Sequence, residues 1–332
     1  MQEAFGPARP GAHEPSAPCD LVSVSTSARL HFGFLDPSGR GSRPFGSFGL
    51  ALDRPRTRLT IRRGAGLEVT GVDCERALPY LRAIAASFGL PPAYHLHLDE
   101  VIPSHAGLGS GTQLALAIGS SVAVLEGLPL DLSGIAARLD RGKRSGIGIG
   151  TFGQGGAVLD GGPGARTLPP VLCRLPFPPH WRVLLVFDPA AAGMHGECEV
   201  AAFATLPAFP EAETAELCRR VVLGALPALA ENDFDTFSDQ IGYLQRCMGA
   251  YFAPMQGGAY ISAGVAAVLG GLARQGVAGL GQSSWGPTGF AFAASEADGQ
   301  ALLRAARALA GEANLRFELV HGRNSPATIE TG

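Results

Sequence analysis

Residues 103–113 read PSHAGLGSGTQ, and this stretch decides the fold. It follows residues 94–102, where apolar side chains alternate with polar ones as they do in a half-buried β-strand. It precedes residues 114–128, where leucine, alanine, isoleucine and valine recur at helical spacing. The sequence therefore predicts a glycine-rich loop that leads from a strand directly into the N-terminus of a helix.

Such a loop has the features of an anion-binding site. The first backbone N–H groups of a helix lack intrahelical partners, and the helix dipole adds positive potential there. Glycines let a bulky anion approach the backbone, so a phosphate or pyrophosphate is the expected ligand. The alternative is a strand-to-helix connection that binds nothing. The polar residues of the loop favour the anion site, whose candidate contacts are Ser104, His105, Gly107, Leu108, Gly109, Ser110, Gly111 and Thr112.

Composition restricts the class of protein. The chain has 332 residues, of which 46% are hydrophobic and 17% charged, as expected for one large or two ordinary globular domains. A net charge of −3 argues against a general nucleic-acid or membrane-surface binder. No apolar run reaches the roughly 20 residues that span a bilayer. We therefore expect a cytoplasmic protein with no nucleic-acid or membrane partner.

The cysteines and the first residues predict little chemistry. The six cysteines form no Cys-x-x-Cys pair, and no histidine cluster completes a zinc pattern, so reduced thiols are expected. His95 and His97 share one face of a strand and are interpreted as ordinary strand residues. Glu197 and Glu199 are candidate metal ligands, but the favoured interpretation is that they are carboxylates at the start of a helix. Residues 1–20 are rich in Pro, Ala and Gly and are predicted to form a disordered leader.

A cation, an imidazole and a carboxylate lie close together at the end of a strand predicted for residues 21–30. They are Arg29, His31 and Asp36. Residues two apart in a strand point to the same face, so Arg29 and His31 are expected to lie side by side. One interpretation is a polyanion clamp with a metal-binding or proton-handling carboxylate. The other is a surface strand that ends in a turn, and this segment alone leaves both open.

A second basic segment follows at residues 141–156, RGKRSGIGIGTFGQGG. Three cations precede a run of glycines, and Lys143 is the only lysine in the chain. Basic side chains beside bare backbone amides favour a second anion-contacting loop that faces the first. The alternative is a flexible basic hairpin. A further glycine-rich loop at residues 39–49 carries Arg43.

The second half of the chain predicts an α+β layer. A buried strand at residues 182–187 is followed by helices at 211–230, 234–251 and 259–275, and later by a helix at 296–310 and a strand at 317–320. Residues 279–289 form the last prominent loop. Trp285 lies there among glycines and hydroxyl side chains, which suits the wall of a ligand cleft better than a core.

Four segments together resemble the GHMP small-molecule kinase superfamily and, more closely, the beta-ribofuranosylaminobenzene 5'-phosphate synthase family. They are residues 28–39 (ARLHFGFLDPSG), 102–113 (IPSHAGLGSGTQ), 143–156 (KRSGIGIGTFGQGG) and 281–288 (GQSSWGPT). The resemblance covers about residues 21–325 and implies a two-domain α+β fold. Residues 21–168 would form an N-terminal α/β domain like that of ribosomal protein S5. Residues 169–332 would form a ferredoxin-like C-terminal domain.

The resemblance also implies a reaction. In that family, 4-aminobenzoate is joined to phosphoribosyl pyrophosphate, and carbon dioxide and pyrophosphate leave. The product enters tetrahydromethanopterin biosynthesis. A divalent cation, Mg²⁺, and donors to the leaving pyrophosphate would assist its departure. No organic cofactor and a homodimer are expected.

The resemblance assigns roles to the candidate residues. The catalytic set is His31, Asp36, His105 and Lys143, with the two histidines for proton handling and Asp36 with Ser110 for Mg²⁺. The pyrophosphate cradle contains Ser110 and Thr112. The counter-charges are Arg29, Arg43, Lys143 and Arg144. The substrate-contacting polar residues of the remaining segments are Ser145, Gln154, Gln256, Gln282, Ser283, Ser284 and Trp285.

One departure from the kinases bears on the chemistry. Many of them carry a catalytic aspartate where this chain has Gly148, so the base that removes a hydroxyl proton is missing at that position. Asp160 and Asp188 remain alternative carboxylates for the cleft. The synthase is the favoured function, and an ATP-dependent kinase or a non-catalytic ligand sensor of the same fold are the alternatives.

Overall fold

The structure is a computed structural model that describes residues 19–38, 43–165, 167–193 and 202–332. Most of the predicted leader, and Glu197 and Glu199, lie outside the described residues. Two antiparallel-rich sheets, one of seven strands and one of four, form the framework with helices packed against them. In the described part of the chain, no helix is both long and apolar enough to cross a membrane.

The larger sheet contains the N-terminal strands. Its main path has the order β11-β1-β2-β4-β3, and β5 extends it from β2 and carries β6 at the edge. The strands are β1 Leu21–Asp36, β2 Phe45–Arg63, β3 Glu68–Gly71, β4 Tyr94–Glu100, β5 Ala157–Asp160, β6 Val171–Leu175 and β11 Thr328–Thr331.

Strand β1 is longer than predicted and continues through the candidate residues to Asp36. It pairs with β2 along its length, with register shifts on either side of the pairs Arg29↔Ala51 and His31↔Gly49. Between the two shifts the register is regular, so Arg29 and His31 share one face as expected. Bulges of this kind re-aim side chains and are common next to functional sites. The prediction that residues 39–49 are a loop was wrong at its end, because β2 begins at Phe45.

Four helices cover the larger sheet. They are α1 Cys74–Ser87, α2 Ser110–Leu125, α3 Leu132–Arg138 and α4 Ile147–Gln154. Helix α2 is buried on nearly all its faces, because it packs against α1, α3, α4 and the sheet. It begins at Ser110, four residues before the predicted start, so residues 110–113 form its first turn.

Helix α4 corrects the prediction of a loop at residues 141–156. Glycines disfavour a helix, but Ile147 and Phe152 are buried, and their burial fixes the segment as a helix. Gly150 permits close packing, because a Cβ there would lie 2.8 Å from Val158 Cγ1. Only residues 141–146 remain as the basic loop.

The smaller sheet has the strand order β10-β7-β9-β8. Its strands are β7 Arg182–Phe187, β8 Leu280–Gln282, β9 Gly289–Ala293 and β10 Arg316–Val320. The helices of this half are α5 Glu211–Arg220, continued by a π-helical turn Val221–Ala225 and by α6 Leu226–Glu231, then α7 Phe234–Gln256, α8 Ala263–Arg274 and α9 Glu296–Ala310. Helices α7, α8 and α9 contact the smaller sheet, whereas α5 contacts β1 and α6 contacts β6 of the larger one.

The two sheets share a core. Phe32 of β1, Phe237 of α7 and Phe292 of β9 meet in one aromatic cluster. Strands β6 and β11 both follow residue 168 in the chain, yet both pair within the larger sheet. The division of the chain at residue 168 stays a prediction, and the candidate site lies where β1, β8 and α7 come together.

Candidate active site

Two distant loops interlock at the start of α2. Ser283 Oγ donates a hydrogen bond to the carbonyl of Gly107 at 2.8 Å, and Arg29 Nη1 donates to the same carbonyl at 2.5 Å. Gly107 has a φ of 77°, and a Cβ there would collide with Ser283 O and lie 2.7 Å from Gly286 Cα. Loop packing therefore requires this glycine, whereas the sequence suggested approach of an anion. Leu108, which is buried, likewise uses its carbonyl to accept from Arg29 N at 3.0 Å.

The first turn of α2 lies between two arginines. Gly109 precedes the helix with a φ of 79°, and a Cβ built on it would lie 3.0 Å from Arg29 Cγ. A Cβ at Gly111 would lie 3.7 Å from the guanidinium carbon of Arg141. Arg141 was missed as a site residue, although it is the first cation of the segment that contains Lys143. The helix N-terminus and both guanidinium groups give this place the positive potential that an anion needs.

A narrow cavity lies beside this anion site. Its enclosed volume is small, about 20 Å³, which is room for about one water molecule. Strand β1, helix α7 and the loop after β8 supply its walls, and in the described part of the chain its lining contains no Asp, Glu, Lys or Arg. The residues that matter below are His31, Phe34, Met248, Phe252, Gln282 and Trp285.

His31 is buried, with 3% of its surface exposed. Its backbone N–H donates to Ser283 Oγ at 3.1 Å, and its carbonyl accepts from Ser284 N at 3.2 Å, so the strand and the loop are held together. Burial, assisted by the charge of Arg29, lowers the pKa of His31 to about 3. The imidazole is therefore neutral near pH 7, and its Nε2 atom is buried without a hydrogen-bond partner in the described structure.

Trp285 lines the cavity and also belongs to the core that the two sheets share, so its role in a ligand cleft remains a prediction. It is 5% exposed, and its Nε1 is also buried without a partner among the described residues. One face of its indole stacks on Phe203, with ring centroids 5.0 Å apart and an interplanar angle of 11°. The guanidinium of Arg144 lies 4.6 Å above the ring of Phe203. The basic loop thus reaches to within one aromatic ring of the cavity wall.

The glutamine side chains around the cavity form hydrogen bonds with each other and with the backbone of its walls. Gln282 Oε1 accepts from Ile261 N at 2.7 Å, and its Nε2 donates to Gln256 Oε1 at 3.3 Å and to Ser284 O at 3.1 Å. Gln245 accepts from Gln282 N at 2.8 Å and donates to the carbonyl of Phe32. Gln245 was missed by the sequence, because nothing in a helical pattern shows which strand a polar residue will contact.

Other predicted residues have their contacts away from the cavity. Lys143 is 70% exposed, and its Nζ lies 2.5 Å from Asp140 Oδ1. Arg43 donates to the carbonyl of Gly161 at 2.7 Å. Ser104 and His105 are exposed, and the carbonyl of His105 accepts from Gly193 N at 2.9 Å. Gln154 is half-buried at the end of α4. Their roles remain predictions.

Asp160 forms a buried network under the basic loop. Its carboxylate accepts from the hydroxyl of Ser47, from Gly146 N at 2.8 Å, from Gly162 N at 2.9 Å and from Ser145 Oγ at 3.3 Å. Burial raises its pKa, although these hydrogen bonds act in the opposite direction. Asp160 and Ser145 therefore hold the basic loop in place. Asp188, the other alternative carboxylate, accepts from Ser262 Oγ at 2.6 Å.

Gly148, which stands where many kinases carry the catalytic aspartate, packs closely against α2. A Cβ at Gly148 would lie 2.8 Å from Thr112 Cγ2, and the carbonyl of Gly148 accepts from Gln113 Nε2 at 2.8 Å. Glycine is thus required by the packing of α4 against α2. A carboxylate base cannot be restored there without moving one of the two helices.

The described residues do not form a metal cage. In the ranges that the structure covers, no three His, Cys, Asp or Glu side chains group together so that they could hold a metal ion. The carboxylate of Asp36 accepts from Ser38 Oγ at 2.7 Å and from Ser38 N at 3.2 Å, as it does in a local turn. Within the described ranges, the donor set does not fit an Mg²⁺ ion bound by protein ligands alone.

Comparison with known proteins agrees with this architecture. Residues 75–156 match the family model described as GHMP kinases N terminal domain, and residues 225–311 match GHMP kinases C terminal. A homoserine kinase from Cytophaga hutchinsonii superposes with a TM-score of 0.63 at 17% identity over 96% of this chain and 100% of the other. A mevalonate pyrophosphate decarboxylase from Streptococcus pyogenes gives 0.67 at 15% identity over 94% and 99%. These structures show the GHMP kinase fold.

Sequence relatives narrow the class. A protein of Archaeoglobus fulgidus named beta-ribofuranosylphenol 5'-phosphate synthase is 31% identical over 238 residues, which is 68% of this chain and 75% of the relative. A protein of the same name from Methanothermobacter thermautotrophicus is 26% identical over 67% of this chain and 74% of the relative. The chain belongs to this synthase family within the GHMP fold class, as the resemblance implied.

Proposed function

We propose that the chain joins phosphoribosyl pyrophosphate to a 4-substituted benzoate, 4-aminobenzoate in the first instance, and releases pyrophosphate and carbon dioxide. The product would be beta-ribofuranosylaminobenzene 5'-phosphate, an intermediate of tetrahydromethanopterin biosynthesis. The names of the relatives describe a phenol product, which differs only in the 4-substituent. On the family resemblance we also propose a cytoplasmic homodimer, which sedimentation of the purified protein tests.

One observation carries the proposal. Arg29 and His31 lie two residues apart on the same face of β1, and they belong to two different sites. Arg29 contacts the loop before α2, where an anion is favoured. His31 lines the neighbouring cavity, whose described lining contains no Asp, Glu, Lys or Arg. A reaction between a polyanionic sugar and an aromatic ring needs such a pair of sites side by side.

The bond changes balance without a proton transfer at the reacting carbons. The ring carbon that carries the carboxylate supplies an electron pair to C1 of the ribose, and pyrophosphate leaves with the electron pair of the C–O bond. The pair of the carbon–carboxylate bond then returns to the ring, and carbon dioxide leaves. No base is needed to deprotonate the ring carbon. A neutral His31 and a glycine at position 148 are compatible with this chemistry.

The charged groups would act on the pyrophosphate. Departure from an anomeric carbon leaves an oxocarbenium-like centre, so hydrogen-bond donors and positive charge on the leaving group lower the barrier. We assign this role to the N-terminal turn of α2 with Ser110 and Thr112, and to Arg29, Arg144 and Lys143. Mg²⁺ is proposed only as a companion of the pyrophosphate oxygens, since the described residues offer no cage of their own. Loss of turnover in EDTA and its return with Mg²⁺ would support that part.

Release of labelled carbon dioxide tests the function. Purified protein is incubated with carboxyl-labelled 4-aminobenzoate or 4-hydroxybenzoate, phosphoribosyl pyrophosphate and Mg²⁺, with no ATP present. We expect labelled carbon dioxide only when the ribosyl donor is included. Folded protein that releases none with either acceptor would refute the synthase, and ATP consumption would instead favour a kinase. Binding of the donor without turnover would favour a ligand sensor.

A further inference from the structure

Strand β10 forms one edge of the smaller sheet. It pairs with β7 over residues 316–320, and the strand order β10-β7-β9-β8 leaves its other side without a neighbouring strand in the described part of the chain. Beyond the strand the chain turns to the larger sheet, where the carbonyl of His321 accepts from Asp53 N at 2.9 Å. An edge strand presents backbone N–H and C=O groups that can pair with a further strand. The outer side of β10 is therefore a surface to which another chain can add.

The side chains along this edge alternate between two faces of the sheet. Leu315, Phe317 and Leu319 lie on the face that packs against α8 and α9, and all three are only partly buried. Arg316 and Glu318 lie on the opposite face, where Arg316 Nη2 is 3.4 Å from Glu318 Oε1. The edge thus combines three partly exposed apolar side chains with one charge of each sign.

The order of these side chains is complementary to itself. Two identical strands related by a twofold axis in the middle of their pairing run antiparallel, as a closed twofold dimer requires. With that axis at Phe317, Arg316 lies opposite Glu318 of the second copy, and Glu318 lies opposite its Arg316. On the other face Phe317 meets Phe317 of the second copy, and Leu315 meets Leu319. Opposite charges and apolar pairs that face each other across neighbouring strands stabilise a sheet.

Other registers lose this match. An axis at Arg316 or at Glu318 brings two like charges directly opposite each other, which destabilises a strand pair. An axis between two residues places apolar side chains opposite charged ones, because a shift of one residue exchanges the two faces. The register centred on Phe317 pairs residues 315–319 and ends before His321, where the chain turns to the larger sheet. The side chains therefore select one register.

We propose that two copies of the chain associate through β10, so that their smaller sheets join into one continuous antiparallel sheet. This assignment rests on the homodimer proposed above and names its contact surface. The paired segment is short, so the interface is small, and the dimer is expected to be reversible and sensitive to salt. Strand β8, which contributes to the candidate active site, lies at the opposite edge of the sheet. Association through β10 therefore leaves both candidate sites of the dimer uncovered.

Charge reversal followed by sedimentation velocity of the full chain tests the register. Arg316→Glu places two carboxylates opposite each other at both ends of the pairing, and Glu318→Arg places two guanidinium groups there. Each single variant should raise the dissociation constant of the dimer about tenfold. The double variant, Arg316→Glu with Glu318→Arg, restores opposite charges and should return the constant to within about threefold of the wild-type value. The matched control is Arg82→Glu, an exposed charge reversal on α1, which should leave the constant unchanged.

The outcomes separate the interface from the homodimer and from the synthase. A monomeric wild type would overturn both the homodimer and the interface. A dimer whose dissociation constant is unchanged in both single variants, or is not restored in the double variant, would overturn the interface alone. The side chain of Arg316 is 55% exposed, so the variants should keep the unfolding temperature of the wild type. Carbon dioxide release is measured on the same preparations, and a folded dimer without turnover would refute the synthase while the interface stands.

Discussion

The neutral, buried His31 makes a quantitative prediction about stability and pH. Its pKa is 6.5 in an unfolded chain and about 3 in the folded protein. Between these values the unfolded chain binds a proton that the folded chain excludes. The free energy of unfolding is therefore unaffected by this group well above pH 6.5, and it decreases as the pH falls from 6.5 towards 3.

The expected loss is large enough to measure. Each unit of pKa difference is worth about 1.4 kcal/mol, and integration of the two titrations between pH 6 and pH 4 gives roughly 2.5 kcal/mol for this one group. His31→Phe removes the titrating group and keeps an aromatic ring beside Phe34, whose centroid lies 4.7 Å from that of His31. The variant should therefore lose about 2.5 kcal/mol less than the wild type when the pH is lowered from 6 to 4.

Urea unfolding at both pH values measures this difference, with the free energy of unfolding extrapolated to water. His97→Gln, which removes a histidine with 55% of its side chain exposed on β4, is the comparison variant. An equal pH dependence in wild type and His31→Phe would show that the imidazole is solvated or paired in solution. It would refute the buried, neutral imidazole.

Three further predictions concern the loops. In chemical unfolding, Gly107→Ala should destabilise the protein by at least about 2 kcal/mol more than Gly89→Ala. Both glycines have φ near 70°, but only Gly107 touches a second loop. Equal destabilisation by the two variants would contradict the close packing of the two loops. Asp160→Ala should lower the free energy of unfolding by about 3 kcal/mol in the same assay, because two backbone N–H groups lose their acceptor. The exposed control Glu312→Ala should change it by no more than about 0.5 kcal/mol. A small effect of Asp160→Ala would show that its hydrogen-bond network does not stabilise the fold. Lys143→Ala should raise the KM for phosphoribosyl pyrophosphate several-fold, whereas the control Arg304→Ala should leave it unchanged. An unchanged KM in both variants would show that Lys143 does not contact the ribosyl donor.

Helices and strands with a clear hydrophobic periodicity of their own were predicted correctly from the sequence. The alternation in β4 and the helical spacing of α2 and α9 gave correct elements, and α9 has the predicted bounds, Glu296–Ala310. Helix α4 was mistaken for a loop, because its glycines are poor helix formers and only the burial of Ile147 and Phe152 fixes it. Strand β11 was not foreseen, since its partner β1 lies some three hundred residues earlier.

The candidate site could likewise be predicted only where local residue types indicate it, and not where distant parts of the chain meet. The sequence identified Arg29, His31 and Trp285 from residue types that suit a ligand site. The contact of Ser283 with Gly107 joins residues 176 positions apart, so no local pattern contains it. The cavity also depends on Met248 and Phe252, which the helical spacing of α7 marks only as apolar. What these residues face is decided by the packing of α7 against β1.

We propose that the chain carries out ribosyl transfer with loss of carbon dioxide beside Arg29, at the candidate anion site before α2. A stoichiometry experiment tests it most directly: carbon dioxide and pyrophosphate are quantified together from phosphoribosyl pyrophosphate and labelled 4-aminobenzoate or 4-hydroxybenzoate, without ATP. We expect equal amounts of the two products from the wild type, and a loss of both in Arg29→Ala. Pyrophosphate released without carbon dioxide, or turnover that requires ATP, would contradict the claim.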